Sequence, residues 1–371
     1  MTKPLLQNLT ASHRRVVEIL FQQGSASRAE IASVTGFTKP TISQIVQDLT
    51  EWEVVGEDAA RKGLRGQPAR PVSVRRQAGF AIGVNFSTSF AEVVAVDLAG
   101  SVIDAVQAPL GEPSPECLAA LIHEEMERLI RRKRLAKNRL LGAGISFPGD
   151  FYADGTLMPH ALFPKLKATH LDRFFCEALG IPVIVENDGR VCALGERVIG
   201  VGTRFRTFML VHIGHGVGGG LIIDGAPYRG VHGNAGILGQ YYPYGEPRPS
   251  ALDLLRTLQK AGFCVPDFDT LADLTPDALP TIEAWMDRAA QQLAPELARI
   301  SRFFGPEAIV LAGRLPPFIT RGLVERLDLA AVLQPLDDLP VTPVYASNLG
   351  SRAGAVGAAT LPIYQALLPL G

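Results

Sequence analysis

The sequence predicts an α/β protein that carries a small helical domain at its amino terminus. Three short segments with the apolar spacing of helices fill the first 76 residues. From Phe80 onward, strand-like apolar runs bounded by turn residues alternate with amphipathic helical stretches. The 371 residues exceed what one hydrophobic core usually organises, so we expect two or three domains.

Composition excludes several classes of protein. No stretch of about 20 apolar residues is free of charge, so no membrane span or membrane partner is expected. The amino terminus lacks the apolar run and small-residue cleavage site of a signal peptide. The four cysteines show no CxxC spacing, which favours a reducing compartment over disulfides or a zinc finger. We therefore expect a cytoplasmic protein.

Charge is distributed unevenly along the chain. Residues 1–76 carry 11 lysines and arginines against 7 acids, whereas the remainder carries 25 against 30. Within 61–76 there are six cations and no acid. A basic head on an acidic body indicates an anionic partner, such as nucleic acid, for the head alone. The alternative is a solvated basic loop.

The three predicted helices have identifiable ends. The first covers residues 11–23. The second begins at Ser27, which forms a capping box with Glu30, and stops at Gly36, a residue suited to a left-handed cap. The third begins after Thr38 and carries an apolar stripe at helical spacing, made of Ile42, Ile45, Val46 and Leu49.

Two helices joined by a short glycine-containing turn form a helix-turn-helix, whose second helix enters the major groove. The segment from Ser27 to Val55 is similar to the winged helix-turn-helix of many bacterial repressors. The residues predicted to contact bases, phosphates or the minor groove are Arg28, Thr38, Lys39, Thr41, Ser43, Gln44, Arg65, Gln67 and Arg70. The alternative is a three-helix bundle that binds protein or merely packs.

The basic segment that follows is predicted to form the wing. Residues 65–68 (RGQP) resemble an extended insert for the minor groove, where flanking arginines meet a narrow, electronegative channel. A plain interdomain linker is the alternative, and the segment could serve as both.

The body is predicted to alternate strands and helices in the following order. Strands are expected at 81–86, 91–98, 102–108, 140–147, 182–188, 207–214, 219–224, 307–313 and 341–347. Helices are expected at 115–137, after residue 188, at 250–262, 280–303 and 317–327, and in the tail from 351 to 368.

Three segments of the body resemble the ROK family, which contains bacterial sugar kinases and sugar-responsive repressors. They are VENDGRVCALGE, IGHGVGGGLIIDGAPYRGVHGNAGILGQ and IVLAGRL. The resemblance implies a two-lobed, actin-like (ribonuclease-H-like) ATPase fold with sugar bound between the lobes. The corresponding domains are 1–77 (winged helix-turn-helix), 78–187 with 350–371 (first lobe) and 188–349 (second lobe).

The resemblance also implies which kinase functions are lost. Asn85 replaces the acid of the first phosphate loop, and an amide is a poorer magnesium ligand than a carboxylate. The second phosphate loop persists as the glycine run from Gly214 to Gly220, with His215 where kinases carry threonine, and Arg314 stands where glycine is usual. Asp188 matches the family's catalytic base, but a carboxylate there can equally bind a sugar hydroxyl or cap the following helix.

The family's ExGH motif is degenerate in this chain. In the family its glutamate contacts sugar and its histidine binds structural zinc, whereas here the segment is Ile237-Leu238-Gly239-Gln240. The cysteine cluster that should follow is absent, so we predict no zinc, no other metal and no cofactor.

The residues predicted to bind an effector are Asn187, Asp188, Lys165, His232 and Gln240. Lys165 stands where the family carries a sugar-binding asparagine, which favours an anionic ligand such as a sugar acid or phosphosugar. By the same analogy His160 and His232 lie near the cleft, although lone histidines are more often surface or packing residues.

Together these features predict a DNA-binding repressor without catalytic residues, acting on a double-stranded operator as a homodimer or dimer of dimers. A carbohydrate or sugar-acid effector would control it. The alternatives are an active sugar kinase with an accessory DNA-binding head, and a DNA-binding protein whose body only dimerises.

Overall fold

The computed structural model describes residues 9–57, 70–87, 90–111, 113–152, 154, 156, 158, 163–166, 170–243, 245–333 and 339–368. The chain divides into two compact units. The first unit comprises Met1–Ser146, Ala161–Val185 and Ala358–Gly371, and the second comprises Phe147–His160 and Glu186–Gly357. The head belongs to the first unit, and the predicted boundaries at residues 77, 187 and 349 stay predictions.

Three capped helices open the described chain: α1 (Ala11–Gln23), α2 (Arg28–Thr35) and α3 (Lys39–Glu51). The predicted capping box is present, because the Glu30 amide donates to Ser27 Oγ at 3.2 Å and the Ser27 amide donates to Glu30 Oε2 at 2.7 Å. Gly36 adopts the left-handed φ of 74° that ends α2 and turns the chain toward α3. The helix ends expected from the sequence are thus found for this segment.

A small antiparallel sheet completes the head. Its strands are β1 (Ser25–Ala26), β2 (Val55–Glu57) and β3 (Val72–Val74), with β3 in the centre. Buried apolar residues from the three helices and the sheet form the core of this part, among them Val16, Ile31, Ile42, Val46, Leu49, Val55 and Val72. Residues 58–69, which connect β2 to β3 and include Arg65 and Gln67, lie outside the described residues.

A five-stranded sheet forms the centre of the first unit, in the order β6-β5-β4-β7-β8. Its strands are β4 (Phe80–Phe86), β5 (Phe90–Asp97), β6 (Val102–Pro109), β7 (Leu140–Phe147) and β8 (Val183–Asn187). Strand β4 is antiparallel to β5 and parallel to β7. Helices α4 (Pro115–Lys133) and α5 (Leu171–Leu179) accompany it. Helix α4 ends before the predicted residue 137, because Arg134 takes a left-handed φ of 53°.

A second five-stranded sheet, in the order β11-β10-β9-β12-β13, forms the centre of the second unit. Its strands are β9 (Phe208–Ile213), β10 (Val217–Ile223), β11 (Ala226–Tyr228), β12 (Ala308–Gly313) and β13 (Val344–Ala346). The helices are α6 (Asp188–Ile199), α7 (Ala251–Lys260), α8 (Leu279–Phe304), α9 (Pro317–Arg326), α10 (Leu329–Leu333) and α11 (Ala353–Leu367), of which α11 continues into the first unit at Ala358.

Helix α8 anchors the larger core of the second unit. Its Trp285 is fully buried and donates its indole N–H to Asp253 Oδ2 at 2.9 Å. Leu293 and Leu297 lie in the same apolar cluster as Val211 and Leu311 of the sheet. Among the described residues, no helix combines the length and the apolar character that crossing a bilayer requires.

Replacing Gly144 by alanine should destabilise the first unit by about 1–3 kcal/mol. A Cβ atom at Gly144 would lie 1.9 Å from the carbonyl oxygen of Ala358, and both partners are backbone that cannot swing aside. The matched control is Gly111→Ala, where a Cβ meets nothing within 4 Å. Urea unfolding of the full chain measures both, and equal midpoints for the two variants would contradict the close packing of α11 on β7.

Candidate functional site

A pocket of about 440 Å³ lies within the second unit, at the amino terminus of α6 and the adjoining ends of β9 and β10. Loops after β7 and β11 complete its wall. It is lined by Pro148, Gly149, Asp150, Asn187, Asp188, Arg190, His212, His215, Gly216, Val217, Gly218, Gly219, Ile237, Gly239, Gln240, Tyr242, Pro243 and Arg248. Its size is that of a small-molecule site.

The first turn of α6 is held by Asn187, which caps the helix. Its Oδ1 accepts the amides of Gly189 at 2.9 Å and Arg190 at 3.3 Å, and its Nδ2 donates to the Gly149 carbonyl at 2.9 Å. The alternative expectation that Asp188 is the cap is therefore wrong: Asp188 is the first residue of the helix. Both side chains line the pocket, and Asp188 Oδ1 also accepts the Gly189 backbone amide at 2.8 Å.

The carboxylate of Asp188 lies beside an imidazole. Asp188 Oδ2 is 3.6 Å from Nδ1 of His212 on β9, and the exposed fractions of the two side chains are 27% and 9%. At that separation the contact is electrostatic rather than a hydrogen bond. An acceptor and a titratable ring side by side suit a ligand hydroxyl, which can donate to one and accept from the other.

A buried charge network stands behind this pair. Glu186 Oε1 accepts hydrogen bonds from Arg190 Nε at 2.8 Å and from the backbone amide of Asn187 at 2.8 Å. Glu186 Oε2 is 2.5 Å from Arg229 Nη2. The Arg190 guanidinium lies over the Phe151 ring, 5.3 Å from its centroid. The Glu186 carboxylate thus compensates the charges of two cations, the buried Arg190 at the pocket wall and the exposed Arg229 from the loop after β11.

Glycines let α6 approach β10 closely. A Cβ at Gly189 would lie 2.6 Å from the Gly219 carbonyl oxygen, and one at Gly220 would lie 2.7 Å from both Ala193 Cβ and the Gly189 carbonyl oxygen. Because these contacts are with backbone or short side chains, larger residues would push the helix away from the strand. The glycine run after His215 therefore has a packing function beside any ligand contact.

His215, in the turn before β10, belongs to a cluster of side chains. The His215 ring meets the Phe268 ring edge-on with centroids 4.7 Å apart, and the Arg314 guanidinium lies 5.2 Å from the Phe268 centroid. Both positions are departures from the family's kinases expected from the sequence. Here they combine into one aromatic and cationic cluster.

The pocket rim carries the degenerate motif. Ile237 and Gln240 line the pocket, and Arg248 Nη2 donates to the Gly239 carbonyl at 3.0 Å. This donor set does not fit a zinc ion, which needs thiolate, imidazole or carboxylate ligands. Within the described part of the chain, no group of three or more histidines, cysteines and acids is placed to hold a metal.

Burial alters two ionisable groups near the pocket. It raises the pKa of the Tyr242 hydroxyl, so this residue lines the pocket as a neutral phenol. It also raises the pKa of the Cys192 thiol on α6 well above its ordinary value, with a further contribution from the negative charge of Asp188. Cys192 is consequently an inert packing residue rather than a nucleophile.

The segment that matches the family's first phosphate loop lies in the first unit. Phe86 is buried, and its ring contacts that of Phe163 edge-on, 5.4 Å between centroids. Ser87 is also buried, and its amide donates to the Phe90 carbonyl at 2.8 Å. Residues 88 and 89 lie outside the described residues. The described part of the loop is packed rather than open.

The structure brings some of the predicted effector residues together and not others. Asn187, Asp188 and Gln240 line the pocket. Lys165 belongs to the first unit, His232 is exposed and absent from the pocket lining, and His160 lies outside the described residues. The sequence analysis missed His212, Arg190 and Arg248. For Arg190 a signal existed, since Glu186 precedes it by four residues.

The predicted DNA-contacting residues that the structure describes are all exposed: Arg28, Thr38, Lys39, Thr41, Ser43, Gln44 and Arg70. Thr38 caps α3, and its hydroxyl is 2.8 Å from that of Thr41. Arg28 Nη2 and Arg70 Nη1 lie 3.0 and 3.7 Å from the carboxylate of Glu57. Two of the arginines are thus grouped around one carboxylate.

Sheet topology and the glycine-walled pocket define an α/β protein with the actin-like ATPase fold of ROK repressors and sugar kinases. The model of the ROK family matches residues 81–250, and the chain belongs to this family. The described structure is similar to the crystal structure of a ROK family transcriptional regulator, a homolog of the E. coli MLC protein, with a TM-score of 0.66 and 23% identity over 96% of each chain.

Curated relatives match nearly the whole chain. The uncharacterized protein y4fQ of Sinorhizobium fredii is 39% identical over 365 residues, 98% of this chain and 93% of that protein. The xylose repressor of Bacillus spizizenii is 25% identical over 374 residues, 95% of this chain and 94% of the repressor. Sugar kinases, glucokinases among them, match as well.

Replacing Glu186 by glutamine should destabilise the second unit by about 3–5 kcal/mol, because the buried Arg190 loses its counter-charge. Arg229→Ala is the matched control. Arg229 is 61% exposed and its removal leaves Glu186 paired with Arg190, so it should cost under about 1 kcal/mol. Chemical unfolding of the two full-length variants measures the difference, and an equal loss from both would show that the network is not organised around Glu186.

Proposed function

We propose that this protein is a sequence-specific transcriptional regulator, a repressor, with a winged helix-turn-helix that binds operator DNA. The carrying observation is the two-sided surface of α3. Ile42, Ile45, Val46 and Leu49 are buried on one side. On the other, the exposed residues at the start of the helix are short, polar or basic, and none is acidic: Thr38, Lys39, Thr41, Ser43 and Gln44. Such a helix end suits the edges of bases in the major groove.

Features around α3 support the same proposal. Helix α2 and the left-handed turn at Gly36 set α3 after a short connection, as in a helix-turn-helix. Strands β2 and β3 flank the proposed wing, residues 61–71, which includes Arg70. The guanidinium groups of Arg28 and Arg70, held near Glu57, would contact phosphates.

We propose that the pocket of the second unit binds a carbohydrate-type effector, neutral or acidic. Its polar groups are the kind that fix a sugar: the Asn187 amide, the Asp188 carboxylate, the His212 ring and the Gln240 amide. Ile237, Val217 and Tyr242 add apolar surface for the face of a sugar ring. The full-length likeness to a xylose repressor supports both partners, DNA and a sugar.

The body is proposed to bind this effector without phosphorylating it. Phosphoryl transfer requires loops that surround the phosphates and a carboxylate for magnesium. Phe86 and Ser87 are instead buried at the first loop, and Asn85 replaces the carboxylate. At the second phosphate loop, His215 replaces the threonine that the resemblance implies, and its ring packs on Phe268 beside Arg314.

Control of DNA binding would pass through α11. Gly357 of this helix packs against Val191 of α6 within the second unit, since a Cβ there would lie 2.5 Å from the Val191 carbonyl oxygen. At its other end, within the first unit, the carbonyls of Gln365 and Leu368 each accept Arg14 Nη1 of α1 at 3.0 Å. An effector that favours one arrangement of α6 over another would thereby bias the head.

We further propose that the protein acts as a homodimer or dimer of dimers. Two heads related by a twofold axis would bind half-sites one or more helical turns apart.

Lys39→Ala should weaken binding of the full-length protein to its promoter DNA and reduce the slope of log affinity against log salt by about 1, the contribution of one phosphate contact. Lys260→Ala is the control, because Lys260 is an exposed lysine at the end of α7. Fluorescence anisotropy across a salt series gives both slopes. Equal slopes for the two variants would remove α3 from the proposed interface.

Asp188→Asn should lower the affinity for the effector about tenfold, because a charge-assisted hydrogen bond to a hydroxyl becomes a neutral one. A thermal-shift screen of neutral sugars, sugar acids and phosphosugars on the wild type identifies the ligand, and calorimetry compares the variant. His232→Ala, outside the pocket, is the control.

An unchanged affinity for the effector in Asp188→Asn would show that the effector does not bind in this pocket. Binding of neutral hexoses only would exclude sugar acids and phosphosugars as effectors.

A sugar kinase is the second candidate, favoured by the retention of Asp188 in the pocket beside His212. A coupled assay of ATP turnover with the same panel decides between the two. Sugar-dependent turnover that Asp188→Asn abolishes would establish the kinase, and its absence with a ligand that binds would support the regulator.

A further inference from the structure

One of the proposed base-contacting residues is held by a chain of side chains within the head. Gln44 is exposed on α3, and its Nε2 donates to Asp48 Oδ1 at 2.8 Å, one turn further along the helix. The other oxygen of Asp48 lies 3.2 Å from Nε2 of His13 on α1. The Asp48 carboxylate therefore bridges two helices.

His13 is itself fixed. Its Nδ1 is 2.6 Å from the Thr10 hydroxyl in the cap of α1, and its ring lies 4.9 Å from that of Trp52, measured between centroids. His13 is buried, whereas Gln44 is exposed. The position of the Asp48 carboxylate is thus set by the core of the head rather than by solvent.

The hydrogen bond determines which way the Gln44 amide faces. The bond from Gln44 and the proximity of His13 lower the pKa of the Asp48 carboxyl, so this group is ionised at neutral pH and can only accept. The amide must therefore turn its NH₂ toward Asp48. One N–H is used there, which leaves an oxygen that accepts and a second N–H that donates.

We propose that Asp48 fixes this orientation so that Gln44 selects an adenine in the operator, which makes Asp48 a specificity-determining positioning residue. This inference rests on the proposed function. In the major groove adenine presents a donor at N6 beside an acceptor at N7, which matches the acceptor and donor that the held amide offers. Guanine presents two acceptors, and cytosine and thymine each present one polar group, so none of them matches both.

A second glutamine pair on α3 provides a matched control. Gln47 Nε2 donates to Glu51 Oε1 at 3.0 Å, with the same spacing of four residues. Glu51 is exposed and lies near the carboxyl end of the helix, away from the end proposed to face the bases. Removing its carboxylate disrupts a pair of the same chemistry without touching the proposed contact.

The test is selection of binding sites from a randomised duplex library by the full-length wild type and the variants Asp48→Asn, Gln44→Met and Glu51→Gln. The wild type should enrich a site with an A·T pair at one position of each half-site. Asp48→Asn is nearly isosteric but can donate as well as accept, so it frees the amide to reverse. It should reduce the preference for adenine over guanine at that position about tenfold and leave other positions unchanged.

Gln44→Met should lose the same preference, and Glu51→Gln should keep it. If Asp48 had only a structural role, Asp48→Asn would lower the affinity for all sequences alike. The ratio of adenine to guanine at that position would then stay unchanged, whereas a lost base preference lowers it. An enriched site whose base preference at every position survives Asp48→Asn would overturn the proposal and leave the regulator intact. Failure of the wild type to enrich any sequence would overturn both.

Discussion

The close approach of α6 to β10 is the contact on which the candidate site depends. A Cβ atom at Gly189 would lie 2.6 Å from the Gly219 carbonyl oxygen, and one at Gly220 would lie 2.7 Å from the Gly189 carbonyl oxygen. That approach places the first turn of α6 against the end of the strand, where Asn187 caps the helix and Asp188 is left for the pocket. The buried Glu186 then holds Arg190 at the pocket wall. Side chains larger than glycine would separate these groups, and a ligand could no longer reach them together.

Local signals in the sequence predicted local structure well. The capping box at Ser27 and the left-handed cap at Gly36 are present, because each depends on residues within one turn. Nine of the ten strands in the two five-stranded sheets follow apolar runs that predicted them, whereas β11 was not predicted. By contrast, the capping function expected as one alternative for Asp188 belongs to Asn187, one residue earlier, and both side chains line the pocket.

What the sequence could not predict depends on residues far apart in the chain. Arg229 approaches Glu186 from the loop after β11, and His212 on β9 meets Asp188 on α6. The periodicity of the sequence contains no information about such pairs. The family resemblance implies a phosphate loop at the glycine run, and the structure adds that its backbone packs against α6. The resemblance also implies an effector contact for Lys165, which lies in the first unit and outside the pocket lining.

The proposed function assigns DNA binding to the head and sugar binding to the body. In the proposal, the polar and basic end of α3 binds an anionic duplex, and the pocket of the acidic body binds a sugar. A sensor without turnover is compatible with such a pocket, because binding a sugar needs only hydroxyl partners, whereas turnover also needs phosphate and magnesium contacts.

The most direct measurement is the equilibrium affinity of the full-length protein for duplex DNA from its own promoter region, at physiological salt, compared with a scrambled duplex of the same length. The account predicts that the promoter duplex binds at least about a thousandfold more tightly. Equal affinity for the two duplexes, or no association with either, would contradict it.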